Sequence, residues 1–340
     1  MMKAVVFDPQ SVAPQIVHDL LKPQPGPGEL VIRLHAAALN HRDLHITNPR
    51  NTQSFIYGSD GAGEVEGIGE GVLGWQTGDP VIINPQISCL SCQYCLKGEH
   101  ALCESGRVLG GTSWNGTFAH YVKIPARNAV KKPPHLTFAQ AAALPLAFGT
   151  AWRALITQAA LKPGETVLIQ GIGGGVALFC LQIAVQIGAR VIVTSGSTEK
   201  LAEAFRMGAF AGIHYRDEDV AQRVLALTSG KGADVVISSS GEAFSACIAA
   251  AGKQARLVHY AYMGNTLPAF DLDMLMSKQL SLYGSAMHTY PEFAEAMAFV
   301  ESTRLVPVIS HTFRLEEAKA AFQLLRDSGQ FGKILLTIDS

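Results

Sequence analysis

Four cysteines lie close together in one short segment of the chain: Cys89, Cys92, Cys95 and Cys103. Their spacing lets a single loop wrap one metal ion tetrahedrally. Four thiolates leave no open coordination position, so the sequence predicts a structural zinc ion and not a catalytic one. An iron–sulfur cluster and a set of free thiols are the alternatives, but the ordinary polar residues around the segment favour zinc.

A glycine-rich turn follows a short apolar segment, Val167 to Gln170, and precedes an apolar helical pattern. Glycines allow a tight turn that approaches a pyrophosphate, whose charge then meets the N–H groups at the start of the helix. A merely tight turn is the alternative, but the strand–turn–helix context favours dinucleotide binding. The candidate cofactor-binding residues of this turn are Gly173, Gly174, Gly175 and Val176.

The next predicted strand ends at Ser195-Gly196-Ser197, and no acidic residue stands at its tip to hold both ribose hydroxyls of NAD. Ser197 and Lys200 are suited to a 2′-phosphate, because a hydroxyl and a positive charge both favour it, and Ser195 is a further candidate cofactor-binding residue. NADP(H) is therefore predicted, with NAD(H) possible. The alternative makes Ser197 a helix N-cap and Lys200 a solvated surface residue.

These motifs require elements that position them, and the hydrophobic pattern supplies such elements. The first 130 residues read as short β segments separated by Gly- and Pro-rich turns, whereas strand and helix patterns alternate from about Leu144. This alternation predicts an α/β fold with a doubly wound parallel sheet of six strands. The predicted strands begin at Thr166, Val191, Ile213, Val235, Arg256 and Leu280.

Composition excludes several classes of function. The chain has 340 residues, which suits two domains, and 27 basic residues nearly balance 28 acidic ones. We therefore expect no nucleic-acid partner. The N-terminus lacks the pattern of an export signal and no segment reads as a membrane span, so we expect a cytoplasmic protein with a small-molecule substrate.

Several short motifs resemble those of the medium-chain dehydrogenase/reductase superfamily. They are Asn40-His41-Arg42-Asp43-Leu44-His45, Gly58-Ser59-Asp60-Gly61-Ala62-Gly63, Gly78-Asp79-Pro80-Val81, Gly149-Thr150-Ala151-Trp152 and Phe331-Gly332-Lys333-Ile334, together with the cysteines and the glycine turn. The resemblance implies a GroES-like β-barrel catalytic domain from residues 1–148 and 286–340, with a zinc lobe at about 84–113. It also implies a Rossmann domain over 149–285 and a homodimer or homotetramer.

The chain departs from this family at the catalytic metal. Zinc-type alcohol dehydrogenases of the superfamily bind that zinc through residues whose matching positions here are Asn40, Ser59 and about Leu146. These are poor ligands or none, so we expect no catalytic zinc. The pattern is similar to the quinone oxidoreductase branch. Without a Lewis acid, a conjugated acceptor is favoured, because its developing charge is spread over several atoms. The predicted reaction is reduction of quinones or α,β-unsaturated carbonyls by hydride transfer.

The resemblance also implies roles for single residues. Asn40 is the candidate for orienting the substrate or the nicotinamide, Asp43 and Asp60 for supporting the centre, and His45 for relaying a proton. A loop-stabilising Asn, structural carboxylates and a plain surface histidine are the respective alternatives. Further candidates for cofactor binding are Thr150 (alternatively an N-cap), Tyr215, Ser240, Gly264, Ser285 and Lys333.

Two other functions remain open on the sequence. The chain could be an alcohol or aldehyde dehydrogenase that recruits metal through non-standard groups such as His41, Asp43, His45 or Asp60. It could also be a catalytically silent nucleotide-binding protein, because loss of metal ligands can mean loss of catalysis.

Overall fold

A computed structural model describes residues 1–9, 11–46, 53–263 and 271–339 of the chain. It contains two units, one formed by Met1–Gly149 with His288–Ser340 and the other by Thr150–Met287. The sequence prediction placed these boundaries after residue 148 and after residue 285. None of the described helices combines the length and the apolar character that crossing a bilayer requires.

The N-terminal part of the first unit consists mainly of short strands. They are β1 (Met2–Asp8), β2 (Ser11–Leu20), β3 (Glu29–Ala38), β4 (Phe55–Ile56), β5 (Asp60–Ile68), β6 (Pro80–Ile83), β7 (Gln86–Ile87), β8 (Arg107–Val108), β9 (Tyr121–Pro125) and β10 (Ala129–Lys131). Short helices connect them or follow them: α1 (Arg42–His45), α2 (Gln93–Leu96), α3 (Phe138–Ala142) and α4 (Pro145–Trp152). A capping box between Thr137 and Gln140 satisfies backbone groups at the start of α3.

The second unit is built around a sheet of six described strands, in the order β13-β12-β11-β14-β15-β16, and all of their pairings are parallel. These strands are β11 (Thr166–Ile169), β12 (Arg190–Ser195), β13 (Ala211–His214), β14 (Ala233–Ser240), β15 (Ala251–Met263) and β16 (Ser281–Gly284). Its helices are α5 (Gly175–Ile187), α6 (Thr198–Arg206), α7 (Val220–Leu227), α8 (Phe244–Ala250) and α9 (Leu272–Ser277). Residues 166–169 of the central strand are all buried, as in a sheet covered on both faces. The predicted doubly wound parallel sheet is confirmed.

The C-terminal segment returns to the first unit. It comprises α10 (Tyr290–Thr303), β17 (Ile309–Arg314), α11 (Ala318–Arg326) and β18 (Lys333–Thr337). A 3₁₀ turn, Leu315–Glu317, leads from β17 into α11. Strand β18 pairs with β3, with Leu335 opposite Ala38, and β3 pairs with β5, with Ala38 opposite Asp60.

One hydrophobic core supports these three strands. Leu30, Ile32 and Leu34 of β3 are at most 1% exposed, and they belong to the same buried cluster as Leu336 of β18 and Phe322 of α11. Burial of each such side chain contributes about 1.5–3 kcal/mol. The register of β3, β5 and β18 is therefore firmly held, because a slip of one residue would turn these apolar side chains away from the core.

Candidate functional site

Asn40, Asp60 and Lys333 meet at one place in the first unit. Asn40 follows the end of β3, Asp60 begins β5 and Lys333 begins β18, so the pairing of the three strands brings them together. All three are buried, and Lys333 and Asp60 are 3% and 0% exposed in their side chains. Ser59, which precedes Asp60, is buried beside them. We call these four residues the polar cluster.

The carboxamide of Asn40 is held at both ends. Its Nδ2 atom donates to Ser59 Oγ at 3.2 Å and to Asp60 Oδ2 at 2.9 Å. Its Oδ1 atom accepts from Lys333 Nζ at 2.6 Å. An ammonium group can only donate and a carboxylate can only accept, so this orientation of the amide is the one that satisfies every partner. Both N–H hydrogens of Asn40 are thus already in use.

Asp60 joins the cluster to helix α4. Its Oδ1 atom accepts the backbone N–H of Leu146 at 2.9 Å, and its Oδ2 atom accepts from Lys333 Nζ at 3.1 Å. Thr117 Oγ1 donates to the backbone carbonyl of Asp60 at 2.7 Å. A carboxylate near a helix N-terminus is stabilised by the helix dipole. The positions that the sequence resemblance aligns with zinc ligands, Asn40, Ser59 and about Leu146, therefore all contact Asp60 or one another.

Asp43 contacts the backbone of Asn40. Its Oδ2 atom accepts the backbone N–H of Asn40 at 2.8 Å, whereas its Oδ1 atom is buried without a hydrogen-bond partner in the described residues. Burial raises the pKa of Asp43 to about 6, and the nearby Arg42 guanidinium opposes this rise. Burial, together with His45 and Lys333, lowers the pKa of His41. His45 itself is exposed at the end of α1.

We expect the stability of the protein to depend on the ionisation of Asp43. Its pKa is raised from 3.8 to about 6 on folding, so the folded state keeps the proton where the unfolded chain has lost it. The stabilising contribution of Asp43 to the free energy of unfolding is fully present below pH 4 and is lost as the pH rises through 6. The shift corresponds to about 3 kcal/mol. Relative to the wild type, Asp43→Asn should therefore gain about this much unfolding free energy between pH 4 and pH 7, as measured by urea denaturation.

Asp79→Asn is the matched control, because Asp79 accepts the N–H of Gln76 at 2.9 Å with the same three-residue spacing but is not buried. Its unfolding free energy should follow the wild type across the pH range. Parallel pH profiles for Asp43→Asn and the wild type would contradict the buried-carboxyl explanation.

The four cysteines form a second cluster in the first unit. Their sulfur atoms all lie within 4.8 Å of one another, with 3.5 Å between Cys89 and Cys103 and 3.9 Å between Cys89 and Cys95. Sulfur atoms that share one zinc ion at bond lengths of about 2.3 Å are about 3.8 Å apart. Among the described residues, this is the one group of three or more His, Cys, Asp or Glu side chains arranged to hold an ion.

Backbone amides favour the thiolate form of Cys89, whereas burial raises the pKa of Cys95 to about 12. Ser91 N and Cys92 N donate to Cys89 Sγ at 3.5 and 3.3 Å, and Cys89 N donates to Cys103 Sγ at 3.3 Å. The hydrogen bond from the amide of Ser91 has the largest effect in lowering the pKa of Cys89 to about 5. Because thiolates are the form that binds metal, this cluster fits the predicted zinc ion.

The glycine turn of the second unit has the conformation that a phosphate loop needs. Gly173 has a φ of 136°, which favours glycine. Gly174 caps α5, no side chain caps this helix start within the described part of the chain, and its first turn has no acidic residue. The N–H groups of the first turn are thus available to an anion, including those of Gly175 and Val176. The turn therefore fits the pyrophosphate of a dinucleotide.

Ser195, Ser197 and Lys200 lie where β12 ends and α6 begins. Ser197 caps α6 by accepting the N–H of Lys200 at 3.3 Å, and its hydroxyl donates to Glu199 at 2.6 Å. Ser195 Oγ accepts the N–H of Ser197 at 3.1 Å. A Cβ atom built on Gly173 would lie 3.4 Å from Lys200 Nζ, so this ammonium extends over the glycine turn.

Sequence reasoning missed Arg216 at the same place. A Cβ atom built on Gly196 would lie 2.8 Å from both Arg216 Nε and Tyr215 Oη, so both side chains lie against the strand tip. Tyr215 and Arg216 follow β13, whose carboxyl end is paired with that of β12 through Ser195 and His214. The parallel order of neighbouring strands was the signal that could have identified Arg216.

The remaining candidates lie at other points of the second unit. Ser240 ends β14, and its N–H donates to Gln170 Oε1 at 3.2 Å. Ser285 follows β16, and its buried Oγ atom has no hydrogen-bond partner among the described residues. Thr150 is 4% exposed within α4, which begins at Pro145, so the alternative of an N-cap at Thr150 was wrong. Gly264 falls outside the described residues.

Comparison with known families gave two matches. A family model described as an alcohol dehydrogenase GroES-like domain matches residues 26–134, and a model described as a zinc-binding dehydrogenase matches residues 175–302. The first match contains Asn40, Asp60 and the four cysteines, and the second contains α5 and the strands β12 to β16.

Similar proteins match along nearly the whole chain. A zinc-type alcohol dehydrogenase-like protein of Schizosaccharomyces pombe is 34% identical, with 94% of this chain and 96% of that protein covered. An acryloyl-coenzyme A reductase of Metallosphaera sedula is 30% identical, with coverage of 99% and 100%. The crystal structure of an NAD-dependent alcohol dehydrogenase superposes with a TM-score of 0.92 at 37% identity, with coverage of 99% and 100%.

Proposed function

Because the chain belongs to the medium-chain dehydrogenase/reductase superfamily and is an oxidoreductase of that type, we propose that it reduces α,β-unsaturated carbonyls or quinones without a catalytic zinc. The predicted fold class, a GroES-like domain with a parallel Rossmann sheet, is confirmed. A bound reduced nicotinamide cofactor supplies the hydride. The residues of the first unit polarise the acceptor.

The observation that carries this proposal is the buried ammonium group of Lys333 in the polar cluster. The ammonium group of Lys333 donates to Asn40 and Asp60, so a cation of the protein itself already neutralises the buried carboxylate. A zinc ion would need to displace this ammonium and would then find only one carboxylate among its ligands, beside an amide and a hydroxyl, which are poor ligands for zinc. Residues 47–52 and 264–270, which the structure does not describe, contain no His, Cys, Asp or Glu that could complete a metal site.

The class of acceptor follows from how widely the substrate can spread the negative charge that hydride transfer creates. In a conjugated carbonyl the hydride adds to the β-carbon, the π electrons move to the oxygen, and a proton from water adds to the α-carbon. The resulting enolate spreads its charge over several atoms, so a few hydrogen-bond donors suffice to stabilise it. The similarity to an acryloyl-coenzyme A reductase supports an unsaturated thioester as one member of this substrate class.

The test is a substrate panel with the purified enzyme. NADPH oxidation would be followed with quinones, enones, unsaturated thioesters, aldehydes and simple ketones, and the metal content would be measured in the same preparation. We expect turnover with conjugated acceptors and about one zinc per chain. A second equivalent of zinc, with turnover lost on mild chelation without unfolding, would instead support an alcohol or aldehyde dehydrogenase. No turnover with any acceptor would favour a nucleotide-binding protein without catalytic activity.

We further propose NADP(H) as the preferred cofactor. Arg216 brings a positive charge to the tip of β12, and Lys200, in the first turn of α6, extends its ammonium over the neighbouring glycine turn. A 2′-phosphate beside the strand tip would add negative charge that these cations favour. Arg216→Gln should raise the KM for NADPH about 10- to 100-fold, with the KM for NADH nearly unchanged.

Arg223→Gln is the control for this change, because Arg223 is also exposed and pairs with Glu218 at 3.3 Å on the second unit. Its KM values for both cofactors should equal those of the wild type. Equal effects of Arg216→Gln on NADH and NADPH would argue against a 2′-phosphate site.

A further inference from the structure

The hydrogen bonds of the polar cluster leave only a few donors for a substrate. Asn40 uses both of its N–H hydrogens, one toward Ser59 and one toward Asp60. Its amide can therefore donate to a substrate only by giving up a buried bond, which costs free energy. The groups with donors to spare are its two neighbours, Ser59 and Lys333.

Ser59 accepts a hydrogen bond and has a hydroxyl hydrogen left. The Asn40 amide donates to Ser59 Oγ at 3.2 Å, so the serine oxygen is the acceptor in that contact. The hydroxyl hydrogen has no acceptor among the residues that the structure describes. Because a hydroxyl that accepts a hydrogen bond donates its own hydrogen more strongly, the Asn40 amide both fixes and polarises this donor.

Lys333 likewise retains one donor. Its ammonium group has three N–H hydrogens, and two acceptors are present in the described part of the chain, Asn40 Oδ1 at 2.6 Å and Asp60 Oδ2 at 3.1 Å. The preceding Gly332 fixes the start of β18, because its φ is 117° and a Cβ atom there would lie 2.5 Å from the Val308 carbonyl oxygen. The ammonium is thus a pre-positioned positive charge and not a mobile surface group.

We propose that Ser59 and Lys333 are catalytic residues that donate hydrogen bonds to the carbonyl oxygen of the acceptor, and that Asn40 and Asp60 position them. This inference rests on the proposed function. As hydride reaches the β-carbon, the carbonyl oxygen gains negative charge, and the ammonium and the hydroxyl stabilise it. Neither group loses its proton, since water supplies the proton at the α-carbon. The charge that a zinc ion would supply in other members comes here from a lysine.

Ser59→Ala tests the first donor with little risk to folding, because it removes a single accepted hydrogen bond. We expect kcat for the best conjugated acceptor to fall about 10²-fold, with KM for the acceptor and Kd for NADPH changed by less than about threefold. This division between kcat and KM is the sign of a donor that acts in the transition state, which a purely structural serine would not show. Ser88→Ala is the control, because Ser88 is equally buried and its hydroxyl donates to the His100 carbonyl oxygen at 3.2 Å.

Lys333→Met alone would leave Asp60 buried without a counter-ion, so the informative variant is Lys333→Met with Asp60→Asn. This pair removes both charges together. We expect it to fold and to lose kcat at least 10²-fold, whereas a structural ion pair alone would leave kcat near the wild-type value once folding is restored.

The outcomes separate the two proposals. A wild-type enzyme that turns over acceptors, with Ser59→Ala and the double variant both retaining full kcat, would overturn the donor roles and leave the proposed function standing. A wild-type enzyme that reduces no carbonyl acceptor would overturn both. Loss of kcat in Ser59→Ala but not in Ser88→Ala, with unchanged NADPH binding, supports the donor role.

Discussion

Asp60→Asn is expected to lower the free energy of unfolding by about 3–5 kcal/mol. Asp60 and Lys333 are 0% and 3% exposed in their side chains and lie 3.1 Å apart, so the substitution leaves a buried ammonium without its counter-charge. The asparagine can accept the Leu146 N–H or the ammonium, but it supplies no negative charge. Chemical denaturation at neutral pH measures the loss directly.

A double-mutant cycle isolates the pairing itself. Lys333→Met alone should also destabilise the protein by several kcal/mol, whereas the double variant should recover much of the loss, because no unpaired charge remains. Glu64→Gln is the surface control: it removes the ion pair with the part-exposed Arg33 and should cost less than about 1 kcal/mol. Strictly additive losses in the cycle would show that the two charges do not depend on each other.

Loss of Cys95 from the cysteine cluster is expected to have the second large effect. Cys95→Ser removes one of four thiolates whose sulfur atoms lie within 4.8 Å of one another. Structural zinc binding provides on the order of 10 kcal/mol to small domains. The segment around the cysteines contains only the short α2 and a 3₁₀ turn, so it has little other structure to hold it. We expect metal content to fall from about one zinc per chain to near zero, with rapid proteolysis of this segment.

Cys247→Ala is the matched control, because Cys247 is buried in the second unit and belongs to no cysteine cluster in the described chain. It should keep its zinc and resist proteolysis like the wild type. Full zinc content in Cys95→Ser would contradict a four-thiolate site. Iron with visible absorption in the wild type would instead support the iron–sulfur alternative.

The parts of the site that are local in sequence could be predicted from it. The four cysteines span residues 89–103 and converge in the structure as their spacing predicts. The glycine turn stands, as predicted, between a strand and a helix, Thr166–Ile169 and Gly175–Ile187, and the strand begins at the predicted residue. The cysteine cluster and the glycine turn are each formed by residues close together in sequence. The strand and helix beside the turn are recognisable from their own hydrophobic patterns.

The sequence identified the residues of the polar cluster but did not show which of them contact one another. Family resemblance assigned Lys333 to the cofactor, yet its ammonium contacts Asn40, which lies 293 residues away. Only the placement of β18 beside β3, and of β3 beside β5, brings these residues together. Arg216 was missed for a similar reason, because its approach to Gly196 depends on how β13 lies beside β12.

By itself, then, the sequence determined the fold class, the cysteine cluster and the glycine turn, since each is encoded by residue types at short spacing. The tertiary structure decided which groups of the polar cluster still have hydrogens to donate. That depends on the partner of every buried polar atom, and those partners come from strands that are adjacent in the sheet but distant in the chain.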